Sequence, residues 1–356
     1  MTKINCLSLL VILSASFAIL SNLSPTKITS PLPSSTAFPK ITPINPPERK
    51  ILLNEYHVFQ TFNNCGPAAL SMALSYYKIK ESQQVLGLKL RPYQNPHGDN
   101  DDKSVTLDEL GEKAKDYGLT PYHRPNGNVR VLKLFIAYDI PIIARTLTKA
   151  TEDIGHYRIV KGFDNSTSQI IQDDSLQGKN LRYSYDNFNA LWKAYNYEYL
   201  VLVPPDKKLI AEAILGEDKD LKTAWQKAVE NSRVELIKNP DDTYARFNLS
   251  VALYNTGYFR NSVEEFEKVE NSLPFRTLWY QIEPILAYYE LGDYKKVFEI
   301  TDKILRNYNL AYSELYLIRG EIYKKHGNLL AARKEFENAH LYNVNLKKAR
   351  EAIESL

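Results

Sequence analysis

Three glycines set 35 residues apart constrain this chain more than any other feature: Gly257, Gly292 and Gly327 lie in ALYNTGYF, AYYELGDY and EIYKKHGNL. A period of this length, with Phe266 aligned to Phe336 and Val269 to Ile304 and Ala339, predicts stacked units of helix, glycine turn, helix. Each unit buries its apolar face only against its neighbours, and about three suffice for a continuous core. Pro240 and Pro274 punctuate the units, and Leu221–Lys238, with Trp225, reads as a half unit capping the stack. Tyr254, Tyr289 and Tyr323 fall at helical spacing, as packing surfaces between helices. An ordinary helical bundle would not need glycines in register.

The other half centres on QTFNNCGPAALSMAL, residues Gln60–Leu74. Here Cys65 precedes Gly66, Pro67 and an apolar run at helical spacing, so it stands at a helix N-terminus. Unpaired backbone N–H groups and the macrodipole favour negative charge there, which pushes a thiol towards thiolate. Pro67 suits the first turn, and Asn63 or Asn64 can cap it. Cys65 is therefore a candidate nucleophile, with the Gln60 amide placed to join the Cys65 backbone N–H in holding an oxyanion. A Cys in an apolar helix also fits a small buried hydrophobe, so its partners decide.

Those partners come from IGHYRIVKGFD and QIIQDDS, separated by NSTS. The pair reads as an antiparallel hairpin with His156 near the start of one strand and Asp173 and Asp174 at the end of the other. The hairpin brings an imidazole and a carboxylate to one end of the sheet. Which Asp shares the face of His156 depends on register. In regular pairing a three- or five-residue loop selects Asp174, and a two- or four-residue loop selects Asp173. His156 also fits a strand histidine that only satisfies its hydrogen bonds. His57 is a rival base by proximity, and His97 and His123 lie on less regular segments. Helices are predicted over Leu107–Tyr117, opened by a Thr106/Glu109 capping box and stopped by Gly118, and over Val131–Tyr138, with a strand at Pro141–Thr146. The acidic loop Asp99–Asp102 lacks the spacing of a calcium loop and reads as solvated.

Residues 1–23 combine one early Lys with the apolar run INCLSLLVILSASFAIL, as in a secretory signal peptide or an uncleaved membrane anchor. Residues 24–49, rich in Pro, Ser and Thr, read as an extended tether. Export makes Cys65 the only Cys once Cys6 is removed, a lone thiol needing explanation. A net charge of +3 with no Lys/Arg run argues against a nucleic-acid partner.

Together, Gln60, Cys65-Gly66-Pro67, Gly155-His156-Tyr157, Gly162-Phe163-Asp164 and Asp173-Asp174 resemble the double-glycine leader peptidases. These are papain-like cysteine peptidases best known as processing domains of bacteriocin exporters. The resemblance spans about Tyr56–Tyr199. It implies an α+β papain-like domain, a helix packed on an antiparallel sheet, over residues 50–206. It further implies Cys65 as nucleophile, His156 as base and acid, an Asp orienting the His, Gln60 in the oxyanion hole, a peptide or protein substrate, and no cofactor or metal. In the family the acid usually precedes Pro. Asp174 fills that slot with Ser175 after it, which leaves Asp173 and Asp174 both open. No P-loop motif follows. Residues 207–356 resemble tetratricopeptide repeats, an all-α domain that binds a protein partner on its concave face. The chain reads as an extracytoplasmic peptidase, or as a non-catalytic assembly module that keeps the papain-like shell.

Overall fold

In the computed structural model, which describes residues 42–93, 105–306 and 309–356, the hairpin expected around His156 lies at the centre of a sheet. Its strands are β1 (Arg49–Ile51), β2 (Thr120–Arg124), β3 (Ile142–Leu147), β4 (Gly155–Asp164), β5 (Gln169–Asp174), β6 (Gly178–Ser184) and β7 (Tyr199–Val203). They run antiparallel in the order β2-β7-β3-β4-β5-β6, and β1 pairs with the far end of β4. Gly162 permits that last pairing: a Cβ there would come within 3.0 Å of the Lys50 carbonyl. Arg49, the last residue of the expected tether, is thus already part of the sheet.

Among the described residues, six helices cover the two faces. On one side lie α1 (Cys65–Ser75), α2 (Gln83–Leu90) and α3 (Leu107–Lys115), packed on Ile143, Tyr157, Ile159, Leu200 and Leu202. On the other lie α4 (Val129–Ala137), α5 (Tyr185–Lys193) and α6 (Lys208–Leu215), packed on Ile142, Ala144, Val160, Val201 and Val203. The Thr106/Glu109 capping box forms at the start of α3, and both anticipated helices fall within two residues of their expected starts.

The C-terminal region is helical: α7 (Leu221–Lys238), α8 (Thr243–Asn255), α9 (Phe259–Glu267), α10 (Thr277–Tyr280), α11 (Glu283–Leu291), α12 (Tyr294–Arg306), α13 (Ser313–Lys325), α14 (Leu329–Tyr342) and α15 (Lys347–Glu354). Gly257, Gly292 and Gly327 sit between α8 and α9, α11 and α12, and α13 and α14, with φ of 87°, 77° and 77°. That left-handed backbone favours glycine, which is the physical reason for the 35-residue spacing.

Sheet and helices form one compact unit from Ile41 to Leu356. The core of the helical region takes in Leu147, Leu191, Ala194 and Tyr195 from the sheet layers. The buried Arg91 joins Glu109 of α3 to Glu314 of α13 at 2.8 and 2.5 Å, and Arg276 reaches Asp153 at 2.7 Å. The expected signal or anchor segment, most of the tether, His97 and the Asp99–Asp102 loop lie outside the described residues.

Candidate active site

The β4–β5 hairpin turns through four residues, Asn165–Ser168, between the paired Asp164 and Gln169. Regular pairing from there would bring Asp173 to the face of His156. Instead β4 bulges at Lys161: Val160 pairs with Gln172 and Gly162 with Ile171. One extra residue reverses the face of everything beyond it. Arg158 now lies opposite Asp174, and His156 shares their face. Asp173 turns to the other side, where it forms a buried 2.7 Å ion pair with the bulged Lys161.

The consequence is a buried hydrogen bond of 2.9 Å between His156 Nε2 and Asp174 Oδ1. Oδ1 also accepts from the backbone N–H groups of Leu176 and Gln177, at 2.7 and 3.0 Å. Burial opposes ionisation of Asp174, but the hydrogen bond and charge of His156, then Arg158 and the Leu176 N–H, outweigh it. They pull the carboxyl down to about 2.

Cys65 is the first residue of α1 and is half-buried. Asn64 occupies the N-cap position, but its side chain makes no cap bond; its amide donates to Thr61 Oγ1 at 2.6 Å. Of the two expected caps, Asn64 does not act as one: its amide oxygen, the atom a cap would use, is buried and accepts no hydrogen bond. Next to Cys65, Gly66 packs on Tyr157, whose ring lies 3.6 Å from where a Cβ would be. Strand alternation sends Tyr157 beneath α1 and turns His156 to the opposite face. Thiol and imidazole thus belong to the same end of β4.

Gln60 is fixed at the end of β5. Its backbone N–H donates to the Ser175 carbonyl at 2.9 Å, and its side-chain Oε1 accepts from Ser175 Oγ at 2.8 Å. The Gln83 side chain grips the same segment, accepting from Thr61 N–H at 2.9 Å and donating to the Phe59 carbonyl at 2.7 Å. Phe59 and Phe62 are exposed beside Gln60, an apolar rim. His57 bonds the backbone carbonyl of Asp174 at 3.0 Å, so that ring nitrogen is a donor. His123 lies away on β2, between Asp108 and Glu198 at 2.8 and 3.3 Å. Sequence reasoning missed Arg158 and Gln83 as supports of the site. An arginine in a buried strand was the one available signal, since such a charge needs a partner.

A helix with Cys at its N-terminus, packed on an antiparallel sheet that carries a His–Asp pair, is the arrangement of the papain-like fold. Residues 50–200 match the model of the Peptidase_C39 like family. Similar solved structures include a protein from Bacillus anthracis described as a C39-like peptidase, at 14% identity and a TM-score of 0.38, covering 44% of this chain and 98% of that one. Another is the peptidase domain of Streptococcus ComA, a bi-functional ABC transporter, at 22% identity and a TM-score of 0.33, covering 41% and 96%. A third is a double glycine motif protease from an AMS/PCAT transporter, in complex with its leader peptide, at 18% identity and 0.34, covering 45% and 99%. No curated protein is matched.

Proposed function

We propose that this chain is an exported cysteine peptidase-like hydrolase that cleaves a peptide or amide bond through Cys65, His156 and Asp174. The observation that carries the reading is the buried His156–Asp174 hydrogen bond. It engages Nε2 and leaves Nδ1 as the imidazole nitrogen for the thiol. In this mechanism His156 Nδ1 takes the proton of Cys65 Sγ. The thiolate attacks the carbonyl carbon, and the Gln60 amide and the Cys65 N–H hold the oxyanion. His156 then protonates the leaving amine, and water, deprotonated by His156, releases the acyl group from sulfur. The substrate is a peptide or protein, recruited by the tetratricopeptide-like helices, and the site acts outside the cytoplasm.

The alternative reading is a protein-binding module in a retained papain-like shell. The rate of Cys65 alkylation by iodoacetamide against pH separates the two. The hydrolase requires reactivity well below the ordinary thiol pKa, about 8.5, and its loss in His156→Ala. An ordinary profile unchanged by that substitution favours the binding module.

A further inference from the structure

Arg158 follows His156 by two residues on the same face of β4, and its side chain is fully buried. Burying a guanidinium is costly unless its donors are used, and here Nε and Nη2 are hydrogen-bonded while Nη1 faces a carboxylate. Nε donates to Thr146 Oγ1 at 2.9 Å, and Nη2 donates to the carbonyls of Leu147 and Thr148 at 3.3 and 2.6 Å. The guanidinium carbon lies 5.1 Å from the Tyr183 ring centroid. Nη1 stands 3.2 Å from Asp174 Oδ2 at an angle that makes no hydrogen bond, so that contact is Coulombic. The carboxylate is thereby divided: three donors on Oδ1, one of them His156, and one fixed cation beside Oδ2.

We propose that Arg158 is a positioning residue of this site. It holds Asp174 with Oδ1 towards His156, and its charge offsets that of the carboxylate, so the thiol–imidazole pair works at lower pH than beside a lone Asp. The assignment rests on the Cys65–His156–Asp174 reading. The other groups around Asp174 leave Arg158 as the charge that sets this balance. From β4 come His156 and Arg158; from β3, Thr146; from β6, Tyr183; and from the segment before α1, His57, bonded to the Asp174 carbonyl. The Lys161–Asp173 pair turns to the opposite face and neutralises itself.

A cation near the pair stabilises the thiolate and destabilises the imidazolium, so removing it moves both proton equilibria the same way. The experiment is iodoacetamide alkylation of Cys65 across pH in wild type, His156→Ala, R158K, R158M and R158Q. The profile has a lower step, where thiolate forms beside imidazolium, and an upper step, where imidazolium loses its proton. In R158M and R158Q the upper step rises by roughly one pH unit and the lower step by less, while R158K stays within a few tenths of wild type. R158Q donates to the Thr148 carbonyl and so preserves the fold should R158M leave too many bare carbonyls. A purely structural Arg158 would let Asp174 swing away and release the imidazole from the thiol, and the broken ion pair raises the lower step and drops the upper one. That narrowing, or steps that do not move in the neutral variants, overturns the proposal. A wild-type profile unaltered by His156→Ala refutes the site reading itself, a different result from either.

Discussion

Asp174→Asn tests the carboxylate at the centre of the site through stability, without needing a substrate. The wild-type carboxyl is fully buried and titrates at about 2 against an ordinary 3.8. A group whose folded pKa lies below its unfolded value contributes stability that is present above about pH 4 and lost as pH falls through about 2. The difference is worth about 2 kcal/mol. Asn cannot ionise, so it forfeits that contribution, and its amide NH2 must face either the His156 or the Arg158 donors. Urea melts of both proteins from pH 2 to pH 7 at constant ionic strength provide the assay. The variant is less stable by at least about 2 kcal/mol at pH 7, and the gap narrows steadily below pH 4. A deficit that is the same at pH 2.5 and pH 7 would refute the reasoning, because it would mean that the carboxylate charge contributes nothing.

Two further perturbations probe other parts of the structure. Despite the cost of burial, hydrogen bonds donated to Asp108 and Glu198 hold His123 up at about 9. Its stabilisation is complete below pH 6.5 and lost as pH rises through 9, on the order of 2 kcal/mol after discounting the exposed Asp108 arm. His123→Gln should therefore flatten the alkaline limb of the stability curve between those values, as read by melting temperature against pH. Ser175→Ala removes the hydroxyl that holds Gln60 Oε1 while keeping the backbone bond between the two residues. Acylation of Cys65 by p-nitrophenyl acetate, which builds an oxyanion, should slow about 5-fold for a lost hydrogen bond of ~1 kcal/mol, with iodoacetamide alkylation unchanged.

The sequence made the helical region legible because its glycines report backbone conformation directly. Positive φ at Gly257, Gly292 and Gly327 leaves few alternatives, and periodicity does the rest. Cys65 at a helix start and His156 on a strand were legible for the same kind of reason, local chemistry written in a few neighbouring residues. The choice between Asp173 and Asp174 was not. The loop has four residues, which in a regular ladder selects Asp173, and only the bulge at Lys161 reverses the outcome. Nothing in GHYRIVKGFD announces that bulge. Its cause is tertiary: Gly162 must accept the close backbone of β1, and Lys161 turns to pair with Asp173.

A boundary drawn at residue 206 follows composition, where the alternating strand pattern gives way to helical spacing, but packing does not change there. Ala211, Ile214 and Leu215 of α6 sit in the same core as β3, β4 and β7. Past α6, the helices do not simply hang from the sheet. Tyr280 of α10 packs on Gly155, where a Cβ would lie 3.4 Å from its ring, and its carbonyl accepts from Arg145 Nη2 at 2.8 Å. Arg276, at the start of α10, holds Asp153 in the loop that leads into β4. The residue following Gly155 is His156. The strand that carries the imidazole is therefore braced by the helical region at the point where it enters the site.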